Sequence, residues 1–129
     1  MTVYKALAMY LKTKQGSDDF NMNIYPVQAP QNASEPYCVF KLIDDNPDPI
    51  HNSGYPTGVA IFQFDIYADT LTEVDSRTEA VKDHFVGQSV AIHADVEIAH
   101  ADSQNEFDGY DDEEKLYARS FDLKIRYTK

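Results

Sequence analysis

The segment that most restricts this chain's fold is Leu116 to Tyr127. Phe121, Leu123, Ile125 and Tyr127 alternate there with Ser120, Asp122, Lys124 and Arg126. Strict alternation marks a strand with one buried and one wet face. Val59 to Ala68 repeats the pattern, with Phe62, Phe64 and Ile66 on one side and Ile61, Gln63, Asp65 and Tyr67 on the other. Strands of this kind belong to an antiparallel sheet covered on one face.

Two amphipathic segments supply the cover. After Thr2, which can cap a helix, Val3, Leu7, Tyr10 and Leu11 form one stripe; Gly16 ends the segment. Thr70 and Glu73 have capping-box spacing. They open a second helix whose buried stripe is Leu71, Val74, Thr78, Val81 and Phe85, with Gly87 as its stop. Ile24 to Val27 reads as a short edge strand holding Pro26, and Tyr37 to Ile43 as a strand apolar on both faces, hence central. Val90 to His100 reads as a single strand with Val90, Ile92, Ala94, Val96 and Ile98 inward. The order α-β-β-β-α-β-β predicts a single-domain α+β fold over residues 1–129, a mostly antiparallel four- to five-stranded sheet with two helices packed on one face. Two long connections are expected. Asp44 to Gly58 holds three prolines and two glycines, and 101–114 holds seven acids and no base.

Charge narrows function. The 129 residues include 22 Asp+Glu against 11 Lys+Arg, a formal net charge of −11. That argues against a protein that grips nucleic acid by neutralising phosphates, and against an anionic membrane as partner. Cys38 is the single cysteine, so no intramolecular disulfide forms; within Tyr37-Cys38-Val39-Phe40 it reads as a small buried hydrophobe. The N-terminal segment lacks the charge-then-apolar order of a signal peptide, and no run approaches the ~20 apolar residues of a membrane span. The chain reads as a soluble protein of a reducing compartment.

Chemistry-bearing patterns are few. His93-Ala94-Asp95 and His100-Ala101-Asp102 have the look of metal ligands, but an offset of seven residues puts the pairs on opposite faces of one strand. Asp108-Gly109-Tyr110-Asp111-Asp112-Glu113-Glu114 departs from a calcium loop, with Tyr110 at the third position and Glu113 where glycine is needed. No nucleophile elbow or glycine-rich phosphate loop is present. No catalytic residue, metal ligand set or cofactor is assigned.

The bases are uneven. Lys5, Lys12 and Lys14 lie in the first helix, and Lys115, Arg119, Lys124, Arg126 and Lys129 in or beside the last strand. A body with separated basic and acidic sides can associate head to tail. Lys12, Lys124 and Arg126 are the candidates for such a subunit interface.

Three stretches then carry a resemblance. They are Ile24-Tyr25-Pro26, Ala29-Pro30 and Pro36 to Phe40; Phe62-Gln63-Phe64-Asp65-Ile66-Tyr67-Ala68 with the helix ending at Val86-Gly87; and Tyr110-Asp111-Asp112-Glu113 leading into Leu116 to Leu123. In this order they resemble the phage tail completion, or tail terminator, family of long-tailed phages, from Leu7 to Tyr127. The resemblance implies a non-catalytic virion protein of the tail. It implies a ring, commonly a hexamer, that caps the tail tube, stops its polymerisation and meets the head-tail connector while DNA passes through. The Asp44–Gly58 segment, with Asp44, Asp45, Ile50, His51 and Tyr55, is the candidate docking loop for a partner. Asp108, Asp111, Asp112, Glu113 and Glu114 are the acidic loop or lumen candidates. Acids facing a lumen repel phosphates over roughly a Debye length, ~8 Å at physiological salt, so DNA slides without sticking. Two other classes stay open: an acidic mimic of DNA that occupies a DNA-binding enzyme, and a metal-dependent enzyme using His93, Asp95 and His100.

Overall fold

The computed structural model describes residues 1–16, 20–47 and 57–129. Helix α1 spans Val3–Lys14, and strands β1, β2 and β3 span Asn23–Pro26, Tyr37–Pro47 and Thr57–Ala68. Helix α2 spans Leu71–Phe85, followed by β4 (Val90–His93), β5 (Val96–Asp111) and β6 (Leu116–Thr128). The strands form one six-stranded sheet in the order β1-β2-β3-β6-β5-β4. β1 runs parallel to β2 and the other neighbouring pairs are antiparallel. The α+β class and the helix-covered face are as the sequence predicts. The sheet is larger than four to five strands and is mixed.

Local chemistry explains the helices. Thr2 Oγ1 accepts the Lys5 N–H (3.1 Å) and Thr70 Oγ1 accepts the Glu73 N–H (3.2 Å), satisfying donors the first turn leaves open. The carboxylate of Glu73 pairs with Arg77 (3.2 Å). Beyond α2 the chain turns through Gly87 at φ +73°, and the Gly87 N–H donates to the Ala101 carbonyl (2.9 Å), tying the helix end to β5. Val74, Thr78, Val81 and Phe85 are buried, whereas Leu71, predicted to join them, is 46% exposed at the first helical position.

Both helices press one face of the sheet. Phe40, Phe64 and Phe121 are register partners across β2, β3 and β6, with ring centroids 6.2 and 5.4 Å apart. Cross-strand aromatic pairs of this kind stabilise a sheet beyond their buried area. Val3, Leu7 and Leu11 of α1 and Val81 and Phe85 of α2 complete this core, and Tyr10 Oη lies 2.6 Å from His84 Nε2 between the helices. Cys38 is buried in the same core, and burial with the nearby Asp65 pushes its thiol well above the ordinary range, so it is unreactive packing.

Four expectations change. Asp44 to Pro47 continue β2 and Thr57 and Gly58 begin β3, in register from Asp44↔Ile61 to Pro47↔Gly58. Proline is tolerated there because a strand end needs no N–H. Val90 to His100 is not one strand but a hairpin, turning at Ala94 and Asp95, where the Asp95 N–H donates to His93 Nδ1 (3.1 Å). The 101–114 loop is largely strand, because β5 runs to Asp111 against β6, setting Asp102 opposite Lys124 and Asp108 opposite Arg119. Finally, β2 is apolar on both faces only over Tyr37–Phe40; Leu42 and Ile43 are exposed at a bulge.

Candidate assembly surfaces

The acidic surface is the turn between β5 and β6. Asp111 accepts the backbone N–H groups of Glu113 (3.0 Å) and Glu114 (3.1 Å), and Lys115 at φ +57° completes the reversal. Asp108 accepts from Arg119 Nε (2.6 Å), whose guanidinium also reaches Asp75 on α2. The hydrogen bond from Arg119 holds the Asp108 carboxyl below the usual carboxylate range. Of the five acidic candidates, Asp108 joins β5 to β6 through Arg119 and Asp111 shapes the turn. Asp112, Glu113 and Glu114 project at its tip, exposed, beside Tyr110 and Tyr117, whose rings meet edge to face at 5.1 Å.

Beneath this turn, on the sheet face away from the helices, Tyr37 and Tyr67 stack at 5.0 Å, with Tyr25 edge-on to Tyr37. Ala29 and Ala33 partly cover them. Burial first, then the charges of Glu114, Asp111 and Glu35, raises the Tyr37 hydroxyl. Sequence reasoning missed this cluster, because its rings come from three strands whose register no periodicity reveals.

The basic candidates do not gather. Lys12 is exposed on α1, on the rim of a groove of about 390 Å³ lined by Ala8, Met9, Gln15, Ile24, Pro26 and Phe40 among others. Gln15 Oε1 accepts the Ile24 N–H (3.2 Å), pinning the helix end to β1. Lys124 and Arg126 lie elsewhere, on the outer sheet face beside His100 and Asp102. Met9, 47% exposed in the middle of α1, carried no sequence signal apart from breaking the helix's polar side.

The two His-x-Asp pairs are also apart. His93 and Asp95 sit at the β4–β5 turn (3.9 Å), and His100 and Asp102 pair on β5 (3.2 Å). Among the described residues no group of three or more His, Cys, Asp or Glu is placed to hold a metal ion. Of the docking-loop candidates, Asp45 accepts a hydrogen bond from Tyr127 Oη (2.7 Å) and Asp44 from Asn46 (2.7 Å). Ile50, His51 and Tyr55 lie outside the described residues.

No protein-family model and no curated protein matches the chain. Among solved structures it is similar in fold to a chain of the virion of a native gene transfer agent particle. The TM-score is 0.61 at 13% identity, covering 98% of this chain and 92% of that one.

Proposed function

We propose that this chain is a non-catalytic structural virion protein, and within that class a tail terminator. It forms a ring, a hexamer by the family resemblance, at the head-proximal end of a tail tube. The ring stops tube growth and meets the head-tail connector. The observation that carries the reading is the fold likeness to a virion chain along 98% of the sequence. The ordered motifs from Leu7 to Tyr127 add to it.

The size is compatible. A chain of 129 residues has a radius of gyration of about 14 Å, so six such bodies in contact enclose a hole roughly 35 Å wide. That passes a DNA duplex. A formal charge of −11 per subunit keeps phosphates from sticking to the wall. The joining contact is assigned to residues 44–58, whose central part carries Ile50, His51 and Tyr55 between the ends of β2 and β3.

Native mass spectrometry and electron microscopy of the purified chain, alone and with tail tubes, test the ring. Closed rings of about six subunits support it; a chain that stays monomeric in both conditions sinks it. Replacing residues 48–56 by a short hairpin turn tests the joining contact. The variant should fold and form rings yet fail to join heads to tails, and unimpaired joining would remove that assignment.

A further inference from the structure

Two surfaces of this chain complement each other, with the tyrosines Tyr25, Tyr37 and Tyr67 between them. One is the groove between α1 and the edge strand β1. Met9 is 47% exposed there, and α1, from Val3 to Lys14, carries three lysines and no acid. Lys12 on its rim has no carboxylate partner among the described residues. The other is the β5–β6 tip. Tyr110 and Tyr117 are 51% and 39% exposed, and Asp112 and Glu113 likewise have no cation partner among the described residues.

We infer that the tip of one copy docks in the α1–β1 groove of the next. This rests on the ring reading and specifies its contact. The tyrosines supply large amphipathic rings, the side chains most enriched at the centres of interfaces, and Met9 with the groove walls supplies an adaptable apolar seat. Asp112 and Glu113 then approach Lys12, so opposite charge sets register and suppresses groove-to-groove or tip-to-tip pairing. A tip and a groove can meet reciprocally about a two-fold axis or in series from copy to copy, and a ring requires the serial, heterologous arrangement. Each copy offers one free tip and one free groove, and the series closes as a ring. Of the basic candidates, Lys12 takes part and Lys124 and Arg126 do not. The tip acids face a neighbouring subunit and are withdrawn from the lumen.

Two substitutions at exposed positions test this in the full chain: Met9→Glu in the groove and Tyr110→Ser at the tip. Each should keep the native circular dichroism spectrum and raise the concentration needed for assembly by about tenfold or more. Mixed in equal amounts, they should form a discrete dimer, because one intact tip still finds one intact groove. Native mass spectrometry reads the species directly. Rings that survive both substitutions overturn this interface while leaving ring formation standing. If such rings no longer join tubes, the two surfaces belong to a tube partner instead. Loss of assembly with Met9→Glu alone points to a two-fold groove contact and overturns the head-to-tail pairing, as does a mixture that gives no dimer. A native chain that is monomeric with and without tubes removes the ring itself.

Discussion

Phe64 and Asp65 are neighbours in β3 that look in opposite directions, and the two faces they serve are built differently. On the helix side, Phe40, Phe64 and Phe121 stack in one row, each at most 2% exposed. On the other side Asp65 accepts from Gln63 (2.9 Å) and Ser120, and the tyrosine cluster is only partly covered. The first face is sealed within the subunit. The second pairs its polar groups among themselves and stays half open to solvent.

Phe64→Ala should break the first face most severely, losing about 3–5 kcal/mol through lost transfer energy and a cavity that helices on one side and sheet on the other cannot refill. Tyr67→Ala, on the open face, should lose about 1–2 kcal/mol, since only part of its ring leaves water. Urea unfolding of the pair decides the matter; equal losses would erase the distinction between the faces. Gly58→Ala comes next. A Cβ there would sit 2.5 Å from Tyr127 Oη, so the variant should lose about 1–3 kcal/mol, recovered in part by adding Tyr127→Phe.

The smallest effect is Tyr127→Phe alone, which removes the bond to Asp45 at a cost of about 1 kcal/mol near neutral pH. Its signature is a pH dependence. Burial first, then Asp45, raises the Tyr127 hydroxyl above its ordinary value of 10.0. In alkali the unfolded chain releases this proton before the folded chain does, so the stability it lends is whole below pH 10 and drains away as pH rises further. The open face contributes in the same sense through Tyr37 and Tyr67, also raised mainly by burial. Tyr127→Phe should therefore flatten, without abolishing, the alkaline loss of stability. An unchanged slope would place the whole effect on the open face.

The two faces also differ in how much of them was legible. Alternation in Val59–Ala68 and Leu116–Tyr127 named the core residues of β3 and β6 because burial there is strictly periodic. The β4–β5 hairpin escaped because a bulge between Ala91 and His93 offsets the parity change of its two-residue turn, Ala94-Asp95, so Ile92, Val96 and Ile98 keep one unbroken alternation through the reversal. β5 escaped for the opposite reason. Bulges between Ile98 and His100 and between Gln104 and Phe107 destroy the period, and seven acids in 101–114 suggested a solvated loop. Their repulsion is relieved by Lys124 and Arg119 on β6 and Lys82 on α2, which are remote in sequence. The tip acids were named from the sequence. The α1–β1 groove was not, because it exists only where α1 lies beside β1.

The bulged, acidic β5 has one more consequence. Beyond the three residues that pair with β4 and the Ala101 carbonyl that accepts from Gly87, no strand of the described residues pairs with its outer edge. A long regular edge of that kind is a template on which further chains add strand by strand into fibres. Asn105 at φ +55° and the two interrupted registers deny an incoming strand any even run of donors and acceptors, and the carboxylates repel a like copy. The chain is thereby guarded against edge-to-edge growth without end.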